Sequence, residues 1–203
     1  IEVWSRARRV VPYVDMPLQH IAPDMLRTMA RGMTGPDTRA LVSRIRAGIP
    51  GVAFRTNFIV GFPGETEAHF EELERYIEEE PFDNLVVFHY ERESETPAFR
   101  MEPRVPVATR RHRRARLLAR QQRLSAERLR RRIGQRTTVM IDGETSSPRD
   151  KNSGPRQYAA RTVGSAWEVD GGVVVEGVGL EPGALVPVTI TGSAAYDLFA
   201  RAE

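Results

Sequence analysis

The residues best able to do chemistry in this chain fall at three places, each where an apolar run gives way to polar or glycine-rich sequence. The first is Asp15-Met-Pro-Leu-Gln19-His20, two polar side chains just past a predicted strand. The second is Arg55-Thr-Asn-Phe-Ile-Val-Gly-Phe-Pro-Gly-Glu65-Thr66, a buried-strand pattern that feeds a glycine turn and then a helix start. The third is Val86-Val-Phe-His89-Tyr90, another strand with a polar tip. Glycines let backbone approach a ligand closely, and a helix start offers N–H groups to anionic or polar atoms. In parallel α/β folds ligands bind at the carboxyl edge of the strands, so the three places would meet at one rim. Each place also has a structural reading. The turn is then an ordinary strand–helix connection with Thr66 as N-cap, Gln19 and His20 are solvated loop tips, and Tyr90 closes the core with its hydroxyl at the rim.

Other chemistries are excluded by residue type. The chain has no cysteine, so it offers no disulfide, thiol nucleophile or thiolate ligand. Its four histidines, His20, His69, His89 and His112, are scattered without tight ligand spacing, so no metal site is expected. No apolar run reaches the roughly 18 residues of a membrane span. The Arg-rich stretch from Trp4 to Val11 lacks the apolar core of a signal peptide. A cytoplasmic protein with no membrane partner is expected. With 40% hydrophobic residues, the 203-residue chain can bury one large or two small cores.

The elements that must position these residues alternate in the first half. Strands are predicted at Val10–Leu18, Val52–Val60 and Leu85–Tyr90. Helices are predicted at Pro23–Arg31, Pro36–Ala47 and Thr66–Glu80, the last with Phe70, Leu73 and Ile77 at helical spacing. Such alternation argues for a parallel sheet or part of an α/β barrel. The proline-containing stretch Glu91–Val107 reads as a connecting loop, and a long helix is predicted from Val107 to Ile133. Short strands at Thr137–Ile141, Val173–Glu176 and Leu185–Ile190, separated by Asp-Gly and Pro-Gly turns, then indicate a small all-β unit fitting a five-stranded barrel. Gly154-Pro155 places a long loop at Ser146–Pro155. Three divisions are expected: residues 1–103 as α/β, 104–132 as an Arg-rich linker helix, and 133–203 as the β-domain.

Charge follows the same divisions. The net charge of +3 conceals −5 over residues 1–103, +11 over 104–132 and −3 over 133–203. The central block either touches RNA or is a helical face pairing with acids such as Glu71, Glu72, Glu78 and Glu79; arginine is the basic residue throughout, 29 against one lysine. Trp167 is expected to pack in the core or a loop rather than stack on a base.

Pro17-Leu18-Gln19-His20, the Arg31-Gly32-x-Thr34 step, Ile59-Val-Gly-Phe-Pro-Gly-Glu-Thr66, and Phe88-x-Tyr90 followed by Thr96-Pro97-Ala98 occur in order. In sequence and spacing they resemble the methylthiotransferases of the radical-SAM superfamily, and the β-rich tail looks like the TRAM domain of those enzymes. Pro-Leu-Gln-His is similar to the RimO branch, which modifies a ribosomal aspartate. The MiaB-like branch, which modifies a tRNA adenosine, usually reads Pro-Val-Gln-Ser-Gly-Ser there. The tail segments Glu168-Val-Asp170-Gly171 and Tyr196-Asp197-Leu198 also resemble RimO.

That resemblance implies an α/β partial parallel barrel, an incomplete radical-SAM barrel, followed by a small TRAM barrel of OB-like form. It implies S-adenosylmethionine and four-iron four-sulfur clusters as cofactors, and methylthiolation of the β-carbon of an aspartate in small-subunit ribosomal protein twelve. Gln19 and Arg55 are then the candidates for the polar and carboxylate ends of S-adenosylmethionine. Phe62, Gly64 and Glu65 line its adenine side, and His20 and Tyr90 border the substrate. An acidic TRAM domain suits a basic ribosomal protein, with ribosomal RNA contact by the Arg-rich helix as a further possibility. The family's Cys-x3-Cys-x2-Cys motif is absent, and a cluster needs thiolates. The chain, which starts at Ile1, is therefore expected to be a fragment inactive alone, with a bared sheet edge and poor solubility. A tRNA-modifying enzyme and a non-catalytic module binding RNA or a ribosomal protein remain the alternatives.

Overall fold

In the computed structural model, which describes residues 1–7, 9–145 and 156–203, the chain divides into two compact units, Ile1–Gln121 and Gln122–Glu203. The predicted loop at Ser146–Pro155 lies outside the described residues.

The first unit is built on three parallel strands, β1 (Tyr13–Asp15), β2 (Ala53–Val60) and β3 (Asn84–His89), in the order β1-β2-β3. Strand β2 is rich in β-branched and aromatic residues, and along it Phe54, Thr56, Phe58 and Val60 are buried while Arg55, Asn57 and Ile59 are half-buried. Strand alternation therefore puts these two sets on opposite faces. The buried face packs on α3 (Gly35–Gly48), α4 (Glu67–Glu79) and the first part of α5 (Val107–Arg130). Val42, Ile45, Phe70, Leu73, Tyr76, Ile77 and Leu117 join Phe54, Phe58 and Val87 in one core. Phe82 holds that core by edge-to-face contacts with Phe54, Phe58 and Tyr76, at centroid distances of 5.5, 5.9 and 5.7 Å.

Both α3 and α4 start with reciprocal caps, Thr34 with Asp37 and Thr66 with His69. The short α1 (Glu2–Arg6), α2 (Pro23–Thr28) and a 3-10 turn at Pro97–Arg100 complete the unit. Strand β1 is shorter than its apolar run suggests, because Pro12 and Pro17 bracket it and cannot donate to a ladder.

Much of the Arg-rich run is internally paired. Arg113 binds Glu65 and Glu67, Arg116 binds Glu67 and Glu74, and Arg120 binds Glu74 and Glu78. Arg110 and Arg114 donate to the carbonyls of Tyr90 and Val87. Of the acids expected to pair with this helix, Glu78 does so, whereas Glu79 takes Arg39. Glu67, Glu74 and Glu78 lie seven and four residues apart, two turns and then one, and so share a face of α4. These ion pairs run to those three and not to the expected Glu71 and Glu72.

The second unit is a closed five-stranded barrel, β4 (Arg136–Glu144), β5 (Arg156–Arg161), β6 (Val173–Gly177), β7 (Leu185–Ser193) and β8 (Leu198–Ala202), in the order β4-β5-β6-β8-β7. Its core alternates inward, with Val139 and Ile141, Tyr158 and Ala160, Val173 and Val175, Val188 and Ile190, and Leu198 and Ala200, and Leu129 packs against it. Trp167 is 62% exposed, not core: it stands on the loop after β5, with the Arg161 guanidinium 5.8 Å from its ring centroid. No helix among the described residues is long and apolar enough to cross a membrane.

The ion-pair ladder makes the first unit sensitive to acid. Burial pushes the Glu67 carboxyl up, but Arg113 and Arg116 outweigh that and hold it below its ordinary value of 4.5. Its contribution to stability is therefore complete above that value and is lost as pH falls through the lowered one. Thermal melts taken at stepped pH should show the midpoint falling below about pH 4.5, with a shallower fall in Glu67→Gln.

Candidate functional site

At the carboxyl edge of the sheet, the segment after β1 returns to lie beside β2. The Gln19 N–H donates to the Asn57 carbonyl at 3.0 Å, and the Ile59 N–H donates to the Gln19 carbonyl at 2.8 Å. Gln19 thereby forms a parallel bridge with Phe58, with φ at +67°. That left-handed conformation is unfavourable for a residue with a Cβ and persists only where the surroundings impose it. Two acceptors on these adjoining segments, Gln19 Oε1 and Asn57 Oδ1, are buried without a hydrogen-bond partner. Leaving such an acceptor unsatisfied costs about 1–3 kcal/mol, which a polar ligand would recover.

Beneath the rim lies a buried polar network. The Glu65 carboxylate receives the Gly61 N–H at 2.5 Å and Arg113 Nη1 at 2.6 Å on Oε2, with His20 Nε2 3.2 Å from Oε1. His20 Nδ1 accepts the N–H groups of Ile21 and Ala22 at 2.9 and 3.0 Å. An Nδ1 that accepts two bonds carries no proton, so the proton sits on Nε2 and is donated to Glu65. The side chains of His20 and Glu65 have no exposed surface, and that of Arg113 is 5% exposed. Removing one partner from such a pair costs on the order of 3–5 kcal/mol, against about 0–1 for the open Arg6–Glu2 pair.

The turn between β2 and α4 is fixed from both sides. Gly61 has φ +75°, and a Cβ there would meet Arg110 Cγ at 2.0 Å. Gly64, at φ +84°, donates its N–H to the Pro103 carbonyl at 2.8 Å and has open space where a Cβ would stand. Phe62 and Tyr90 meet edge to face at 5.1 Å, in a small apolar cluster with Ala22 and Met25. The Tyr90 hydroxyl is buried without a hydrogen-bond partner.

The structure thus gathers Gln19, Phe62, Gly64 and Tyr90 around the sheet's carboxyl edge. His20 and Glu65 lie under that edge, committed to one another. Arg55 stands apart: it is five residues before Val60, roughly 17 Å of strand. Its guanidinium meets Asp15 at 2.6 Å. Asn57 and Arg113 join the site without being among the residues expected from the sequence. Asn57 is the polar residue two positions from Arg55 on the same face, and that alternation was its signal. Arg113 was hidden among arginines of equal appearance. Among the described residues, no group of three or more His, Cys, Asp or Glu is placed to hold a metal ion.

The second unit defines a class. Residues 133–202 match the TRAM domain family, so the chain carries a TRAM domain in addition to a unit built on a three-stranded parallel sheet. Whole-chain similarity goes further. "Ribosomal protein uS12 methylthiotransferase RimO" of Anaeromyxobacter sp. (strain Fw109-5) is 41% identical over 198 residues, 98% of this chain and 41% of that protein. The proteins of the same name from Crocosphaera subtropica and Desulforudis audaxviator are 38% and 39% identical over 95% and 99% of this chain, which covers 42% and 43% of them. The chain belongs to the RimO family by sequence, and it spans about two fifths of the length of these relatives.

Two outcomes check this geometry. Gly61→Ala should lower the melting temperature of the first unit sharply, by strain and by collision with Arg110, whereas Gly51→Ala, at a similar φ in open space, should cost less. Nitrogen-15 spectra of the imidazoles should show His20 as the Nε2-protonated tautomer; the opposite tautomer would contradict the network.

Proposed function

We propose that this chain is part of a radical-SAM methylthiotransferase that modifies the β-carbon of an aspartate in ribosomal protein uS12, and that its sheet edge binds S-adenosylmethionine. The observation that carries the reading is the pair of buried, unpartnered oxygens, Gln19 Oε1 and Asn57 Oδ1, on the two segments joined by the Gln19 backbone bonds to β2. Amide oxygens accept from the ammonium, ribose hydroxyls or adenine amine of such a molecule. Phe62 and Tyr90 offer an apolar aromatic wall to a base, and the open space at Gly64 lets backbone approach it. Arg55, apart from the strand end but two residues from Asn57 on the same face of β2, would take the far, carboxylate end of an extended molecule only by exchanging Asp15 for it, as a planar fork suits either partner. His20 and Glu65 act from below, by holding the backbone of both rim segments.

When bound, S-adenosylmethionine supplies the group that abstracts hydrogen from the target carbon. The residues of this chain do not fit a four-iron four-sulfur cluster, which requires thiolates, because there is no cysteine. We place the cluster outside these 203 residues and take the chain alone to be inactive. The barrel unit, with a net charge of −3 over residues 133–203, suits a basic protein partner better than a phosphate backbone. The names of the relatives support uS12 as that partner.

Isothermal titration of the chain with S-adenosylmethionine tests the site. Gln19→Ala and Asn57→Ala should each weaken binding by about tenfold or more, the cost of one lost hydrogen bond to a charged or buried group. Arg55→Ala should also weaken it. No measurable binding to the unaltered chain would remove the proposal. A pull-down of uS12 against tRNA tests the partner, and preferential, salt-sensitive retention of tRNA would replace the ribosomal reading with a tRNA-modifying one.

A further inference from the structure

We infer that Arg113 is a positioning residue of the rim, setting the conformation of Gln19 and of the glycine turn through the Glu65 carboxylate. The inference rests on the proposed binding site and names a residue that shapes it without touching the ligand.

The path is continuous in hydrogen bonds. Arg113 Nη1 donates to both the Glu65 carbonyl, at 3.2 Å, and its carboxylate, at 2.6 Å, while Nη2 donates to Glu67 at 3.0 Å. The guanidinium also lies 5.4 Å from the Phe70 ring centroid. One planar fork thus fixes three acceptors at and just before the start of α4 from two separated nitrogens, with a directionality that a freely rotating ammonium lacks. Held there, Glu65 takes the Gly61 N–H on one oxygen and the His20 Nε2–H on the other. Gly61 directly follows β2, and His20 directly follows Gln19. The backbone of His20 is in turn turned inward by Nδ1, which collects the next two N–H groups. Gln19 is therefore pinned on one side by its two bonds to β2 and on the other by a residue whose side chain Glu65 holds.

The neighbouring arginines do not share this reach. Arg114 caps Val87, and Arg116 and Arg120 bind Glu67, Glu74 and Glu78 along α4. Glu74 is therefore a suitable control: it is buried in the same helix pair and takes two arginines, Arg116 and Arg120, whose bonds run to Glu67, Glu74 and Glu78 and not to Glu65, so it reaches the rim only indirectly, through Arg113 itself. If Arg113 merely glues α5 to α4, losing it and losing the Glu74 charge should have the same consequences. If it positions the rim, they should differ.

The test compares Arg113→Met, Arg113→Lys and Glu74→Gln in the full 203-residue chain, reading melting temperature, affinity for S-adenosylhomocysteine by calorimetry, and the Gln19 amide resonance. Both Arg113→Met and Glu74→Gln should lower the melting temperature. Arg113→Met should also displace the Gln19 resonance and weaken S-adenosylhomocysteine binding by about tenfold or more, as expected when ligand groups move by a fraction of an ångström to one ångström. Glu74→Gln should leave both unchanged. Arg113→Lys, which keeps the charge but not the fork, should fall between, and it gives the same readout should the methionine variant be insoluble. Equal affinity and an unmoved Gln19 resonance in the Arg113 variants would overturn the inference while leaving the binding site standing. No S-adenosylhomocysteine binding by the unaltered chain would instead overturn the site, and with it the role given to Arg113.

Discussion

The first unit depends on where one buried carboxylate finds its hydrogen bonds. Glu65 has no exposed side-chain surface, and a buried charge is tolerated only when paired and fully hydrogen-bonded. It satisfies that condition by drawing in three donors from three segments: Arg113 from α5, Gly61 from the end of β2 and His20 from the loop after β1. The apolar core explains why the sheet and helices pack. It does not explain why the strand ends take the shapes they do, since apolar contact is non-directional. Direction comes from the carboxylate.

This arrangement also accounts for the odd composition of α5. A run of twelve arginines against one acid over residues 104–132 suggests a surface for phosphates. In the structure the arginines from Arg110 to Arg120 turn largely inward, onto the acids of α4 and the carbonyls at the end of β3. The acidic excess over residues 1–103 and this basic run are two halves of one interaction, so neither charge alone describes what the surface offers a partner.

How much of this was legible in the sequence varies by residue. The β2 strand and α4 helix were plain, because alternation in Ala53–Val60 and the Phe70, Leu73, Ile77 spacing are local signals. The α3 helix announced itself through Pro36 and the residues around it. Strands β5 and β8 were not seen. Arg156–Arg161 and Leu198–Ala202 carry small or charged residues with little β propensity, and they are strands because closure of a barrel demands their backbone. At the site, Gln19, Phe62, Gly64 and Tyr90 were readable as polar, aromatic or glycine residues past strand ends. The depth of His20 and Glu65 was not, since a histidine and a glutamate read as surface residues until a third partner, 48 positions away, is known to lie beneath them. Asn57 lay in the middle of the apolar β2 run, and nothing local separates an amide that meets solvent from one left wanting a partner.

The strand order of the barrel has its own consequence. Leu198–Ala202 is the last of the five barrel strands in chain order but sits between β6 and β7, pairing in parallel with one and antiparallel with the other. The four earlier strands therefore cannot seal into a cylinder by themselves, since the seat between β6 and β7 stays empty until this segment arrives. During synthesis the preceding strands must wait with two unzipped borders, a state prone to pairing with other chains. Closure thus waits on the last strand of the unit, a five-residue stretch whose own sequence gives little hint of the task.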